Sequence, residues 1–218
     1  MKTFYEMNDK ELSAKYRQKA ADSFKTKFDL YVFNKWLENP NTFNNSIIDS
    51  EEFDKFQINQ ELIDYYTTIY WQEIEVKLLR NGKSIKETYQ ALNDLKKTNT
   101  ERIKELERHY VNDFHLVFKF EDFKELVCVP KDLFKCHYCN IDIELINELI
   151  DKGEIHKKQA TRGFTLEIDR KRPNEEYKKD NCVLCCYWCN NAKTDEFSFE
   201  EFKKIGTVIK EIWKERNL

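Results

Sequence analysis

The stretch Asp180-Asn181-Cys182-Val183-Leu184-Cys185-Cys186-Tyr187-Trp188-Cys189-Asn190-Asn191-Ala192-Lys193 runs a strand-like segment, a C-x-x-C knuckle and a helix start together. A second knuckle, Cys136-His137-Tyr138-Cys139, stands upstream. Each C-x-x-C spacing lets both thiolates turn toward one ion, so Cys136, Cys139, Cys186 and Cys189 are expected to hold a structural Zn²⁺ tetrahedrally. The 46 residues between the knuckles exceed the roughly 15 to 20 of a compact zinc ribbon. Something substantial is therefore inserted in the zinc loop. Cys128, Cys182 and Cys185 are assigned to packing, with Cys185, beside Cys186, the one alternative ligand.

Within the insertion, Phe164-Thr165-Leu166-Glu167-Ile168-Asp169 alternates strictly. A strand there turns Phe164, Leu166 and Ile168 toward a core and sets Glu167 and Asp169 on the other face. The polar turn Lys171-Arg172-Pro173-Asn174, the run Cys182-Val183-Leu184 and the helix opening near the second knuckle complete a strand, turn, strand, helix order. That order lets Asp169 and Asn190 converge as hard oxygen ligands for a divalent cation such as Mg²⁺. Residues 156–179 hold eight lysines and arginines against four acids, among them Lys157, Lys158, Arg162, Lys171, Arg172, Lys178 and Lys179. A phosphate backbone suits such a stretch.

Beyond this segment the composition mainly excludes. The four glycines, at 82, 153, 163 and 206, lie too far apart for a dinucleotide fingerprint, a phosphate-cradling loop or a nucleophile elbow. Charge nearly balances, with 37 Lys+Arg against 40 Asp+Glu, so the chain as a whole neither demands nor excludes a nucleic-acid partner. All seven cysteines fall between 128 and 189, which in a reducing compartment favours metal ligands over disulfides. No apolar run approaches the roughly 18 residues of a membrane span and no secretory h-region follows Met1. The expected setting is cytoplasmic, with no membrane association.

Upstream the pattern is helical. Leu12, Tyr16, Ala20, Phe24, Phe28 and Tyr31 recur at three or four through a helix over 9–38, ended by Pro40 and the Asn-rich stretch to Asn45. A second helix is expected after Ser50, carrying Ile58, Leu62, Tyr65, Ile69, Val76 and Leu79 and stopped by Asn81-Gly82. A third begins at a capping box from Ser84 to Glu87 and continues to Tyr110. Residues 1–112 thus read as a helical domain, a packed bundle rather than a DNA-binding surface, suited to oligomerisation or to positioning a partner or DNA. Residues 113–218 read as the second domain. It opens with a strand-like Phe114–Phe118 and a short helix Phe120–Val127. It closes with a helix capped by Ser198 and Glu201 whose Phe199, Phe202, Ile205, Ile209 and Ile212 face a core. The fold class is mainly α (α+β).

The two knuckles, Leu166-Glu167-Ile168-Asp169-Arg170, and the stretch from Asp180 to Lys193 resemble the HNH nucleases, the zinc-stapled branch of the ββα-metal endonucleases. The match spans about 60 residues and none before 114. The resemblance implies that Asp169 and Asn190 bind the catalytic metal, that Asn181 braces the hairpin or orients the base, and that Lys193, one turn after Asn190, contacts phosphate. One position departs: the family's general-base histidine is Arg170 here, and a guanidinium does not take a proton near neutral pH. Tyr177, Glu167 and His156 are the candidate replacements, with Arg170 suited to clamping a phosphate oxygen. The function implied is a metal-dependent DNA endonuclease of restriction, phage defence or a mobile element, acting on DNA or RNA, as a homodimer or with a defence-system partner. The alternatives are a zinc-stapled nucleic-acid-binding module that has lost catalysis, and a structural zinc protein acting on a protein partner.

Overall fold

A computed structural model describes residues 2–38, 48–71, 85–155, 162–194 and 196–217. The chain is mainly helical, with one two-stranded hairpin, a helix after it beside a four-cysteine cluster, and a C-terminal helix. It divides into two compact units, one of residues 20–114 and one of residues 1–19 with 115–218. The expected stops at Pro40 and Asn81-Gly82, the capping residue Ser84, and Val76, Leu79, His156, Lys157 and Lys158 lie outside the described residues. No helix of the described residues is long and apolar enough to cross a membrane.

Of helix α1 (Asp9–Glu38), residues 20–38 belong to the first unit, where Ala20, Phe24, Phe28 and Tyr31 of the predicted stripe are all buried. The helix expected after Ser50 is two helices. α2 (Ser50–Lys55) starts where the Asp49 side chain accepts the Glu52 amide at 2.9 Å. α3 (Gln60–Trp71) starts where Asn59 Oδ1 accepts the Leu62 amide at 2.8 Å. A second N-cap four residues past the end of α2 restarts the backbone and breaks the stripe. The third helix is likewise split, into α4 (Ile85–Thr98) and α5 (Thr100–Asp113). At the break Asn99 Nδ2 donates to the Leu95 carbonyl at 2.9 Å, the local side-chain competition that makes asparagine a poor helix interior. Phe53 is the hub of this core, with the rings of Phe24, Tyr31 and Tyr110 at centroid distances of 5.6, 5.4 and 6.0 Å.

Residues Phe114–Leu116 form a 3-10 turn and not the predicted strand. Phe114 and Phe118 are buried four apart while Leu116 is 78% exposed, so the apparent alternation has no continuous face to bury.

In the second unit, the start of the chain is anchored by aromatic packing. Tyr16 Oη donates to the Phe118 carbonyl, its ring meets Phe120 and Phe123 edge-on, and Phe4 lies against Phe134. α6 (Phe120–Val127) and α7 (Ile143–Asp151) follow. β1 (Glu167–Arg170) pairs antiparallel with β2 (Cys182–Cys185), Asp169 opposite Val183 and Arg170 opposite Cys182. α8 (Tyr187–Lys193) packs on β1, and α9 (Phe199–Arg216) ends the chain with the expected Ser198–Glu201 capping box. The buried stripe of α9 is Phe202, Gly206 and Trp213, while Ile212 is 40% exposed. The stripe is rotated because α9 approaches the first knuckle at Gly206, where a Cβ would lie 2.7 Å from the Tyr138 carbonyl oxygen. Only glycine permits that approach.

Candidate functional site

The first knuckle is a tight turn in which the Asn140 amide donates to the Cys136 carbonyl at 2.8 Å, with Asn140 at a φ of 58°. Asparagine is one of the few residues that adopts this conformation readily. The His137 amide reaches the Leu184 carbonyl at 2.8 Å and ties the knuckle to β2. The second knuckle begins α8, with Cys186 as its N-cap and Cys186 Sγ accepting the Cys189 amide at 3.4 Å. Cys136, Cys139, Cys186 and Cys189 are all buried, and their sulfurs lie within 4.8 Å of one another. Cys139 and Cys186 are 3.7 Å apart, sulfur to sulfur. With a Zn–S bond of about 2.3 Å, tetrahedral thiolates stand about 3.8 Å apart, so the cage fits a structural Zn²⁺. Cys186, and not Cys185, joins it. Cys182 and Cys185 are buried outside it, and burial pushes the Cys182 thiol up to about 12. Cys128 is exposed and does not pack in a core. Its neighbours along α6, Phe123 and Val127, take the inward positions.

Between the knuckles lies the seam of β1 and α8. Glu167 and Asp169 share the face of β1 that meets the helix: Asn190 Nδ2 donates to Glu167 Oε2 at 2.6 Å, and Lys193 Nζ stands 3.5 Å from Asp169 Oδ2. Tyr138, from inside the first knuckle, donates its hydroxyl to Asp169 Oδ2 at 2.6 Å. Burial, followed by the bond to Asp169 and that carboxylate's charge, pushes the Tyr138 phenol well above the ordinary tyrosine range. Tyr138 therefore stays a donor to Asp169. Among the described residues no hydrogen bond is made to Asp169 Oδ1 or Asn190 Oδ1. Two hard oxygens on one seam suit a small divalent cation.

Asn181 is fully buried inside the hairpin turn. Its Oδ1 accepts the Arg172 amide at 2.9 Å, and its Nδ2 donates to the carbonyls of Arg172 and Glu176 at 3.1 and 3.0 Å. These three bonds brace the turn. Lys193, expected at a phosphate, is 1% exposed, with Nζ donating to the Arg170 carbonyl at 2.8 Å. Its charge is engaged inside the protein, opposite Asp169. A buried carboxylate needs such a partner.

Arg170, the last residue of β1, donates from Nη1 to the Glu175 carbonyl at 3.0 Å and lays its guanidinium 4.9 Å from the centre of the Tyr177 ring. Lys19 Nζ lies 3.2 Å from Tyr177 Oη. Glu167 is fully occupied: Arg162 holds it with Nε on Oε1 at 2.9 Å and Nη2 on Oε2 at 2.6 Å, while Asn190 takes Oε2. The cations of the turn are paired locally. Arg172 and Lys178 bind Glu175, Lys179 binds Asp122 and Glu125, and Lys171 donates to the Asp180 carbonyl.

Tyr138, Lys19 and Arg162 were not singled out for these roles from sequence. Tyr138 sits within a quoted motif, but nothing local shows that its hydroxyl reaches a strand 31 residues on. Lys19 lies on a helix whose periodicity reads only as packing.

No protein-family model matches the chain, and no curated protein does. The chain is similar to an HNH restriction endonuclease. The solved structure is that of the rare-cutting enzyme PacI, described for its mechanism of DNA perturbation. The overlap has 23% identity and a TM-score of 0.40, over 53% of this chain and 78% of that one.

Proposed function

We propose that this protein is a metal-dependent DNA endonuclease of the HNH type that hydrolyses phosphodiester bonds, in restriction, phage defence or a mobile element. The observation that carries the reading is the seam between the knuckles, where Asp169 and Asn190 each keep one oxygen without a hydrogen bond. Asp169 Oδ1 and Asn190 Oδ1 would hold a divalent cation such as Mg²⁺, which when bound stabilises charge on the scissile phosphate and the leaving oxygen. Zn²⁺ in the sulfur cage is structural.

The chain's own groups do the rest. Tyr138 and Lys193 fix Asp169 from Oδ2. Glu167 fixes Asn190 by accepting from Nδ2 and so turns the amide oxygen outward. With both its oxygens occupied, Glu167 is a positioning residue rather than a base. Tyr177, once its own phenolic proton has passed to solvent, is the group that takes the proton from the attacking water at Oη. Arg170 holds its ring, and Lys19 stands beside the oxygen on which charge develops. Arg170, at the place of the family's histidine, thus supports a base without being one. Asn181 keeps the turn that carries Tyr177 in shape.

Plasmid cleavage with Mg²⁺ or Mn²⁺ tests the reading. The wild-type protein is expected to nick or cut. Asp169→Ala is expected to abolish cleavage, and Tyr177→Phe to lower it by about 10² to 10⁴, the usual contribution of a general base. Glu167→Gln keeps an acceptor for Asn190 and is expected to lose far less. Cleavage absent with every divalent ion sinks the nuclease reading and favours the catalytically lapsed binding module. Equal cleavage by Tyr177→Phe removes Tyr177 from the chemistry.

A further inference from the structure

The second unit contains a cleft of about 350 Å³ onto which Asn190 and Glu167 open, within the range of pockets that hold a nucleotide-sized group. Arg162 stands on the same side as these two residues. The opposite wall is built by the first nineteen residues of the chain, through Lys2, Lys15 and Lys19. This wall is fixed against the catalytic hairpin, because Tyr16 is bonded and stacked into α6 and Lys19 meets Tyr177. Lys15 and Lys19 are four apart on α1, so their side chains leave the same face of the helix.

The charges of the cleft differ from those of the hairpin turn. In the turn, Glu175, Asp122 and Glu125 already answer the cations. In the cleft, Glu167 is the one acid among the lining residues, and Arg162 pairs with it. Lys2 is paired with Glu11 in an exposed, easily exchanged contact, whereas Lys15 makes no ion pair or hydrogen bond among the described residues. The cleft is also lined by Thr165, whose Oγ1 is buried and has no hydrogen-bond partner among the described residues. A buried hydroxyl without a partner is costly, and an incoming phosphate oxygen would supply one. The surrounding segment is basic too: residues 1–19 hold five lysines and arginines against three acids.

We propose that residues 1–19 form the phosphate-gripping wall of the substrate cleft, with Lys15 and Lys2 holding DNA backbone phosphates next to the scissile one and Thr165 bonding a phosphate oxygen. This rests on the nuclease reading for the identity of the substrate, and it gives the segment ahead of the helical core a role in substrate binding. Phosphate contacts of this kind position the strand and carry no sequence preference.

The test is salt-dependent binding of full-length protein to a fluorescent duplex of random sequence, without added divalent ion so that nothing is cut. Removing one phosphate contact lowers the slope of log K against log salt by about 0.9. Lys15→Ala is therefore expected to reduce the slope by about one contact, Lys2→Ala with Lys15→Ala by about two, and Lys15→Glu to weaken binding roughly ten-fold. Lys204→Glu, exposed on α9 away from the cleft, is the control and is expected to bind as wild type. An unchanged slope in Lys15→Ala overturns the proposal, and so does an equal loss in Lys204→Glu, which would mean that only overall charge matters. Wild-type protein that cuts plasmid while its lysine variants keep full affinity overturns this inference and leaves the nuclease reading standing. Weaker binding by the variants without cleavage by any form does the reverse.

Discussion

The helical unit and the cysteine unit are held together by different means. In the helical unit Phe53 lies against Phe24, Phe28, Tyr31 and Tyr110, and Lys27 caps its ring at 5.0 Å. Hydrophobic and aromatic burial dominates there, and the polar groups buried among the described residues are Ser23, Lys27, Thr88 and Asn99, with Lys27 over the Phe53 ring. The cysteine unit has two strands of four residues each, too short to be stable as an isolated hairpin, and it buries Asn181, Lys193 and six cysteines, four of them in the cage. There the sulfur cage, which fits a metal, and buried hydrogen bonds add to an apolar core that includes Phe118, Phe123, Phe134 and Phe202. The difference teaches where function can sit. Buried polar groups that hold a short hairpin in register also hold a carboxylate and an amide in place, through hydrogen bonds to Asp169 and Asn190.

Removing the metal is the strongest way to break this contrast. Chelation, or Cys139→Ser, is expected to melt the cysteine unit, since structural zinc binding is worth about 10 kcal/mol or more of folding free energy in small domains. Hydrogen exchange should then show lost protection over residues 131–155 and 162–194 while α2, α3 and α5 keep theirs. Joint loss of both regions would mean that the sulfur cage supports the whole chain.

The reciprocal substitution is Phe53→Ala, expected to cost about 3 to 5 kcal/mol by leaving a cavity at the aromatic hub. Metal content by atomic absorption should stay at the wild-type value. Zinc lost along with the ring would show that the two kinds of core are coupled.

The smallest effect sharpens the account of the hairpin turn. Burial raises the Glu175 carboxyl, but its bonds to Arg172 and Lys178 outweigh this and hold it below the ordinary range. A depressed carboxylate stabilises the fold above its unfolded value, and that contribution is lost as pH falls through the folded value. Glu175→Gln is therefore expected to lower stability by up to about 1 kcal/mol at neutral pH. Thermal unfolding of variant and wild type should converge once pH has fallen far enough to protonate the wild-type Glu175 carboxyl. A constant gap across pH would locate the loss in packing instead.

These contrasts also explain what could be read before any coordinates. The stripe of α1, the span of α6, the capping box of α9 and the two knuckles follow from local rules of periodicity, capping and ligand spacing. The breaks at Asn59 and Asn99 turn on single side-chain bonds to backbone, which a stripe of apolar residues does not reveal. At the site, the spacing pointed to Asp169, Asn190 and the four cysteines. The bond from Tyr138 to Asp169, the burial of Lys193 and the cleft wall of Lys2, Lys15 and Lys19 are tertiary facts. No spacing encodes a contact between residue 19 and residue 177. Lys193 reads as a phosphate contact until the strand that covers it is in place.

The sulfur cage has a consequence for how such a protein can change. It pins the two ends of the 46-residue insertion, with Cys139 and Cys186 3.7 Å apart at sulfur. A loop whose ends are already closed takes added residues at little entropic cost, about 0.6 kcal/mol for a doubling of its length. The segment between α7 and Arg162 can therefore be lengthened while the hairpin keeps its register and Asp169 its hydrogen bond to the first knuckle.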